Sequence, residues 1–267
     1  MKLAIREKLL PGATIYDQLA LARELGFAGV EFAADQLDDR IDEIDDALRT
    51  HGLAASGLYM GKTDGWVSAD IGRRQRANDL LREALSCALD LEADYVAFVP
   101  QYGASDMPDL TPFASPMELQ KELLIWLLRG FSDLADAMDT KLALLPLNSE
   151  ETAFLTRLDQ AVQFRREVDQ HPMITIAANT RDLALEEANP LECLRNHLES
   201  LSVIYLANSG AGLPAAGGLP FPEIGAALRR LNYGGWLVLA GKPSADERER
   251  HADLAACLQY LRACELC

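Results

Sequence analysis

The chain has 267 residues, 49% of them apolar, which is enough to bury the core of one large domain. Its 41 acidic residues against 25 basic ones give a formal charge of −16. A surface this negative repels phosphate backbones and anionic lipid, so neither nucleic acid nor membrane is an expected partner.

The opening residues, "MKLAIREKLLPG", contain no long apolar stretch and no cleavage pattern, so no signal peptide is expected. No segment reaches the length of a membrane span, and the expected location is the cytoplasm. Apolar or β-branched runs of strand length then recur along the chain. They are "KLAIR" (2–6), "GVEF" (29–32), "LAASGLY" (53–59), "YVAFVP" (95–100), "KLALLP" (141–146), "ITIAA" (174–178), "LSVIYLA" (201–207) and "GWLVLA" (235–240). Between them lie segments with apolar residues at three- and four-residue spacing, which predicts amphipathic helices.

The first helix is predicted to open at Thr14, where a T-x-x-D box caps the exposed amides, and to bury Ile15, Leu19, Ala22 and Leu25. Gly26 ends it and "GFAGVEF" leads straight into the second strand. In the second helix Leu37, Ile41, Ile44 and Leu48 are placed on one face, with Asp38, Asp39, Asp42, Asp45 and Asp46 as a solvated surface. The stretches 71–91 and 115–139 repeat the pattern. Eight strand–helix units joined by short connections predict a single (β/α)8 barrel over residues 1–267, with a closed parallel sheet. The competing open sheet lacks support, because the first turn, "REKLLPG", carries no glycine-rich phosphate fingerprint.

Five cysteines, at 87, 193, 257, 264 and 267, have no framework spacing and are expected to be reduced thiols. Trp66, Trp126 and Trp236 are read as core or helix-interface residues. In such barrels function sits at the C-terminal ends of the strands. Those ends offer Arg6 and Lys8, Glu31, Tyr59 with Lys62, Gln101 with Tyr102, Leu145 with Asn148, and Asn179 with Arg181 and Asp182. The last two strands offer Tyr205 with Asn208 and Ala240 with Lys242. Glu31 is the one inward-pointing carboxylate on a strand, and no tip carries a histidine.

The ordered segments "ELGFAGVEF", "VPQYG", "LLPLNSEET", "NTRDLALEE", "YLANSGAGLPAAGGLPFPEI" and "LNYGGWLVLA" resemble the xylose-isomerase-like barrels, a superfamily of sugar isomerases, epimerases and inosose dehydratases. The resemblance spans the chain and is strongest between residues 141 and 240. It implies one divalent metal held by four residues on four strands. The glutamate of a Glu-Pro-Leu-Asn motif falls at Leu145, followed by the retained Pro146, Leu147 and Asn148. The aspartate of the second motif falls at Asn179, the histidine of the third at Tyr205, and the last glutamate at Ala240. Two residues that contact substrate in relatives are also replaced, by Asp182 and Ala211. Leucine and alanine donate nothing to a cation, asparagine offers one neutral oxygen, and a neutral tyrosine is a weak ligand. With both glutamates gone, the proton-shuttling bases that the resemblance implies are gone as well.

The leading expectation is therefore a pseudoenzyme or metal-independent barrel with no cofactor, binding a small polar or anionic sugar-like molecule. Arg6, Lys62, Gln101, Tyr102, Asn148, Asn179, Arg181 and Asn208 are its candidate ligand contacts. A rival reading is a working isomerase or epimerase that recruits Glu31, Asp182, Tyr205 and Lys242. A third is a protein-interaction barrel whose pocket is filled. The resemblance also implies a homo-oligomer.

Overall fold

The eight runs become eight parallel strands: β1 (Lys2–Arg6), β2 (Gly29–Ala33), β3 (Ala54–Tyr59), β4 (Tyr95–Phe98), β5 (Lys141–Leu144), β6 (Ile174–Asn179), β7 (Leu201–Leu206) and β8 (Trp236–Leu239). Each pairs with the next, and β8 pairs with β1, which closes the barrel. The computed structural model describes all residues except 64 and 245, and all side chains of the described residues except those of Glu247 and Arg248. Around the sheet lie α1 (Ile15–Leu25), α2 (Ile41–His51), α3 (Ile71–Asp90), α4 (Pro116–Ala137), α5 (Leu158–Glu167), α6 (Thr180–Glu186), α7 (Pro190–His197), α8 (Phe221–Arg230) and α9 (Glu247–Ala263). Among the described residues no helix is long and apolar enough to cross a membrane.

Local chemistry accounts for the helix ends. Thr14 and Asp17 form the reciprocal capping box expected of α1, and Gly26 adopts the left-handed conformation that ends it. Ser115 and Glu118 cap α4 in the same way, with Pro116 in its first turn. The second helix differs from expectation. It starts at Ile41, after a short 3-10 turn over Asp38–Arg40, so Leu37 is buried from the loop ahead of it. Two strands are also shorter than their apolar runs: β4 stops before Val99 and β5 before Leu145, although both residues remain buried.

Strand alternation sorts the core into two clusters. Leu3, Ile5, Val30, Phe32, Leu142 and Leu144 belong to the larger one, between sheet and helices. Ala4, Tyr95, Ala97, Ala143, Leu145, Ala177, Tyr205 and Val238 belong to the smaller one, which fills the barrel lumen. Two strands break the alternation. Ala55 and Leu58 both lie in the outer cluster although they are three apart, and so do Leu201 and Ile204. An extra residue accounts for each: pairing jumps from Val30–Ala55 to Glu31–Gly57 and from Ile176–Leu201 to Ala177–Val203. These bulges bring Gly57 level with Glu31 and turn Tyr59 and Tyr205 toward the lumen side.

Trp66 and Trp236 are buried as expected, but Trp126 is 69% exposed on α4, because its position falls off the buried stripe of Leu124, Leu127 and Leu128. The acidic face of α2 is solvated as expected.

Gly57 is required by its neighbour, since a Cβ there would stand 2.3 Å from the Tyr95 ring. Gly57→Ala is expected to lower stability by about 1–3 kcal/mol. The shift should be read as a lower urea midpoint at unchanged slope. An unchanged midpoint would mean that the ring has room to move.

Candidate functional site

A carboxylate sits near the centre of the barrel. Glu31 on β2 is 1% exposed, and both of its oxygens are engaged. Oε2 accepts from Arg6 Nε at 2.6 Å, while Oε1 accepts from the hydroxyls of Tyr95 at 2.8 Å and Tyr205 at 2.7 Å. Burying an ion pair is costly unless such extra hydrogen bonds satisfy it. Burial alone would lower the Arg6 guanidinium, but the Glu31 carboxylate, and after it Tyr205 and Tyr59, outweigh that effect and hold it above its ordinary value. Burial, then Glu31, pushes both Tyr95 and Tyr205 well up, so each hydroxyl keeps the proton that it donates. The rings of Tyr59 and Tyr205 also lie against the guanidinium, at 4.1 and 4.5 Å from Cζ.

Above this cluster opens a cavity of about 420 Å³, within the size range of small-molecule sites. Its walls come from the tips of β1, β2 and β3 and include Arg6, Lys8, Glu31, Asp35, Tyr59 and Lys62. Lys8 is lowered by burial, then by Arg6, and further by Lys242, with Glu31 opposing. Arg6, Glu31 and Lys62 are thus brought to one cavity. Tyr59 joins them as a wall residue that the sequence placed only at a strand tip. Tyr95 was not foreseen, because it stands at the start of β4, far from any tip in sequence. Its signal was the lumen-facing parity of Tyr95, Ala97 and Val99 opposite a glycine on β3.

The other candidates are distributed differently. Tyr102 donates to the carbonyl of Gly61 at 2.8 Å and lies 3.4 Å from the Tyr59 hydroxyl. Gln101 accepts from buried Gln120 at 2.8 Å. Asn208 accepts the backbone amides of Ser209 and Leu219 and closes its own loop. Lys242 is exposed at the rim. A second polar cluster lies beyond β5 and β6. Asn148 donates to Asp182 at 2.7 Å, and Arg181 pairs with Glu151 at 3.2 Å and with Asp182 at 3.3 Å. Arg181 is therefore held by the protein's own carboxylates, which the sequence could not show. Burial raises Asp182 to about 6, against the opposing Asn148 bond and Arg181.

The four positions that the resemblance equates with metal ligands have other uses here. Leu145 is 2% exposed in the lumen cluster, and Ala240 packs against the same cluster. The Asn179 oxygen accepts from Arg181 N as the cap of α6, and the Tyr205 hydroxyl donates to Glu31. Among the described residues no three His, Cys, Asp or Glu side chains are grouped to hold a cation. These residues do not fit a divalent metal.

A family model described as the xylose isomerase-like TIM barrel matches residues 19–264. The chain belongs to this family. It is 25% identical to a 3-dehydro-D-guloside 4-epimerase of Escherichia coli, over 99% of this chain and all of that protein. A stretch of 112 residues, 42% of this chain and 37% of the relative, is 31% identical to a D-psicose 3-epimerase of Enterocloster bolteae. In fold it matches the apo 3-keto-D-glucoside 4-epimerase from E. coli, with a TM-score of 0.87 and 22% identity over 99% of this chain and 100% of that one. It also matches D-psicose 3-epimerase from Clostridium cellulolyticum with D-tagatose, at a TM-score of 0.86 and 20% identity over both full chains. Within this sugar-epimerase-like family, the chain keeps the barrel while placing an arginine–glutamate–tyrosine cluster in its lumen.

Removing Arg6 alone strands a buried carboxylate, so Arg6→Met is expected to cost about 3–5 kcal/mol. Adding Glu31→Gln should recover most of that loss, measured as a double-mutant cycle by chemical denaturation. For Asp182 the folded value lies above the ordinary 3.8, so the native state holds this proton more tightly than the unfolded chain. Its contribution to stability is full below about pH 4 and is lost as pH rises through about 6. Asp182→Asn should therefore gain on the wild type by up to about 2–3 kcal/mol between pH 4 and pH 7. Melting curves across that range check it, and a pH-independent difference would contradict it.

Proposed function

We propose that this barrel binds a small sugar-like molecule in the mouth over Arg6, and that it does so without a divalent metal. The observation that carries this reading is Tyr205. Where the resemblance calls for an imidazole ligand, a buried hydroxyl donates to Glu31 at 2.7 Å and so belongs to the arginine cluster. The fixed positive charge at the mouth is then a guanidinium. The cavity of about 420 Å³ beside it supports a small-molecule ligand over a filled pocket.

The family relationship supports a sugar as the ligand class, since the relatives are epimerases of sugars and a ketoglucoside. For catalysis the cluster is poorly suited. Both oxygens of Glu31 are engaged by donors and its charge balances Arg6, so it is committed to the cluster. A second reading, a metal-free epimerase, is favoured by one observation: Asp182, at about 6, is matched to proton transfer near neutrality. It lies outside the lining of the mouth cavity.

Elemental analysis of freshly purified protein should find well below one equivalent of Mn, Mg, Co or Zn, and a chelator should leave the melting temperature unchanged. One tightly held equivalent overturns the metal-free reading. A thermal-shift panel of sugars, sugar acids and sugar phosphates should raise the melting temperature. Epimerase activity that survives the chelator but vanishes in Asp182→Asn would decide for the second reading.

A further inference from the structure

We infer that the mouth recognises a carboxylate-bearing sugar, a uronate or aldonate, through the two terminal nitrogens of Arg6. This rests on the mouth being a ligand site. Arg6 spends Nε on Glu31, and among the described residues Nη1 and Nη2 have no hydrogen-bond partner. The side chain is only 13% exposed, and what remains open faces the cavity. A guanidinium with two idle donors at the edge of a cavity is a receptor for an acceptor pair.

Its position is fixed in advance. The rings of Tyr59 and Tyr205 stand 4.1 and 4.5 Å from Cζ, with their centroids 6.5 Å apart, so they approach from directions about a right angle apart. Two walls and the bond to Glu31 hold the fork before any ligand arrives, which lowers the ordering cost of binding. The planar fork matches a carboxylate in two parallel hydrogen bonds.

The remaining charges favour a single negative charge. Glu7 is paired with Arg40 and Glu31 with Arg6, which leaves Lys8, Lys62 and Asp35 on the walls. Those three sum to one positive charge, which a carboxylate balances and a phosphate dianion exceeds. Hydroxyl recognition is also present. Tyr102 gives its proton to the Gly61 carbonyl, which leaves the oxygen of Tyr59, on the cavity wall, free to accept from a sugar hydroxyl.

The test is calorimetric titration at about 0.15 M salt, a Debye length of about 8 Å, with D-glucuronate, D-galacturonate and D-gluconate. Neutral D-glucose and D-galactose and D-glucose 6-phosphate are the comparison ligands. At least one acid should bind about tenfold or more tightly than its neutral parent. Arg6→Lys keeps the charge and loses the fork, so the ratio of acid to neutral affinity should fall toward one. If Arg6→Lys fails to melt cooperatively, the paired variant Arg6→Gln with Glu31→Gln gives the same readout without a stranded charge. Equal binding of acid and neutral parent, a preference that survives in both variants, or tighter binding of the phosphate overturns the inference and leaves the mouth as a sugar site. No binding across the whole panel overturns the mouth itself.

Discussion

One ion pair organises the lumen of this barrel. A carboxylate placed at Glu31 loses its water, and the loss is tolerable only if each oxygen is met by a donor. Arg6 supplies the charge, and Tyr95 on β4 and Tyr205 on β7 supply two further hydrogen bonds from either flank of β2. Four strands must therefore bring their side chains to one point. That convergence needs space, which comes from small residues at lumen positions: Ala4 on β1, Gly57 on β3, Ala97 on β4, Ala143 on β5 and Ala177 on β6. Enlarging Gly57 would push the Tyr95 ring away from the carboxylate.

The same arrangement divides the mouth into unequal sides. Toward β5 and β8, Leu145, Leu147 and Val238 close the lumen with apolar packing and Ala240 lies against them. Toward β1, β2 and β3 the wall stays polar and open, with Arg6 and Lys62 exposed to the cavity. The cavity thus opens on the arc of β1, β2 and β3, while the charged groups beyond β5 and β6 are paired with one another. Fold membership does not decide between binding and catalysis; the groups at the mouth do. Those groups are a pre-positioned guanidinium, two amines, a tyrosine and three carboxylates, two of them already paired with arginines.

Much of the site was legible as residue types at strand tips, because strand ends face the mouth in any such barrel. Arg6, Glu31 and Lys62 could be assigned to it by position alone. Arg181 sat at an equally good tip, yet it is taken up by Glu151 and Asp182, partners 30 residues and one residue away. Nothing local distinguishes an arginine that faces a ligand from one that faces the protein's own carboxylates. Tyr95 escaped for the converse reason, since it starts its strand and reaches the cluster only across a glycine of its neighbour. Trp126 was misplaced because helix phase, not residue type, decides which side of α4 it occupies.

By itself the sequence determined the order of eight strands and their helices, the cap at Thr14, and the absence of donors at Leu145 and Ala240. These follow from period, capping chemistry and side-chain composition, which are local properties. Only the tertiary structure decided that β3 and β7 each carry an extra residue, which turns Tyr59 and Tyr205 inward, and that Glu31 is satisfied from three other strands at once. A bulge is a mismatch between two strands and a buried ion pair is a meeting of distant ones, so neither exists until the barrel closes.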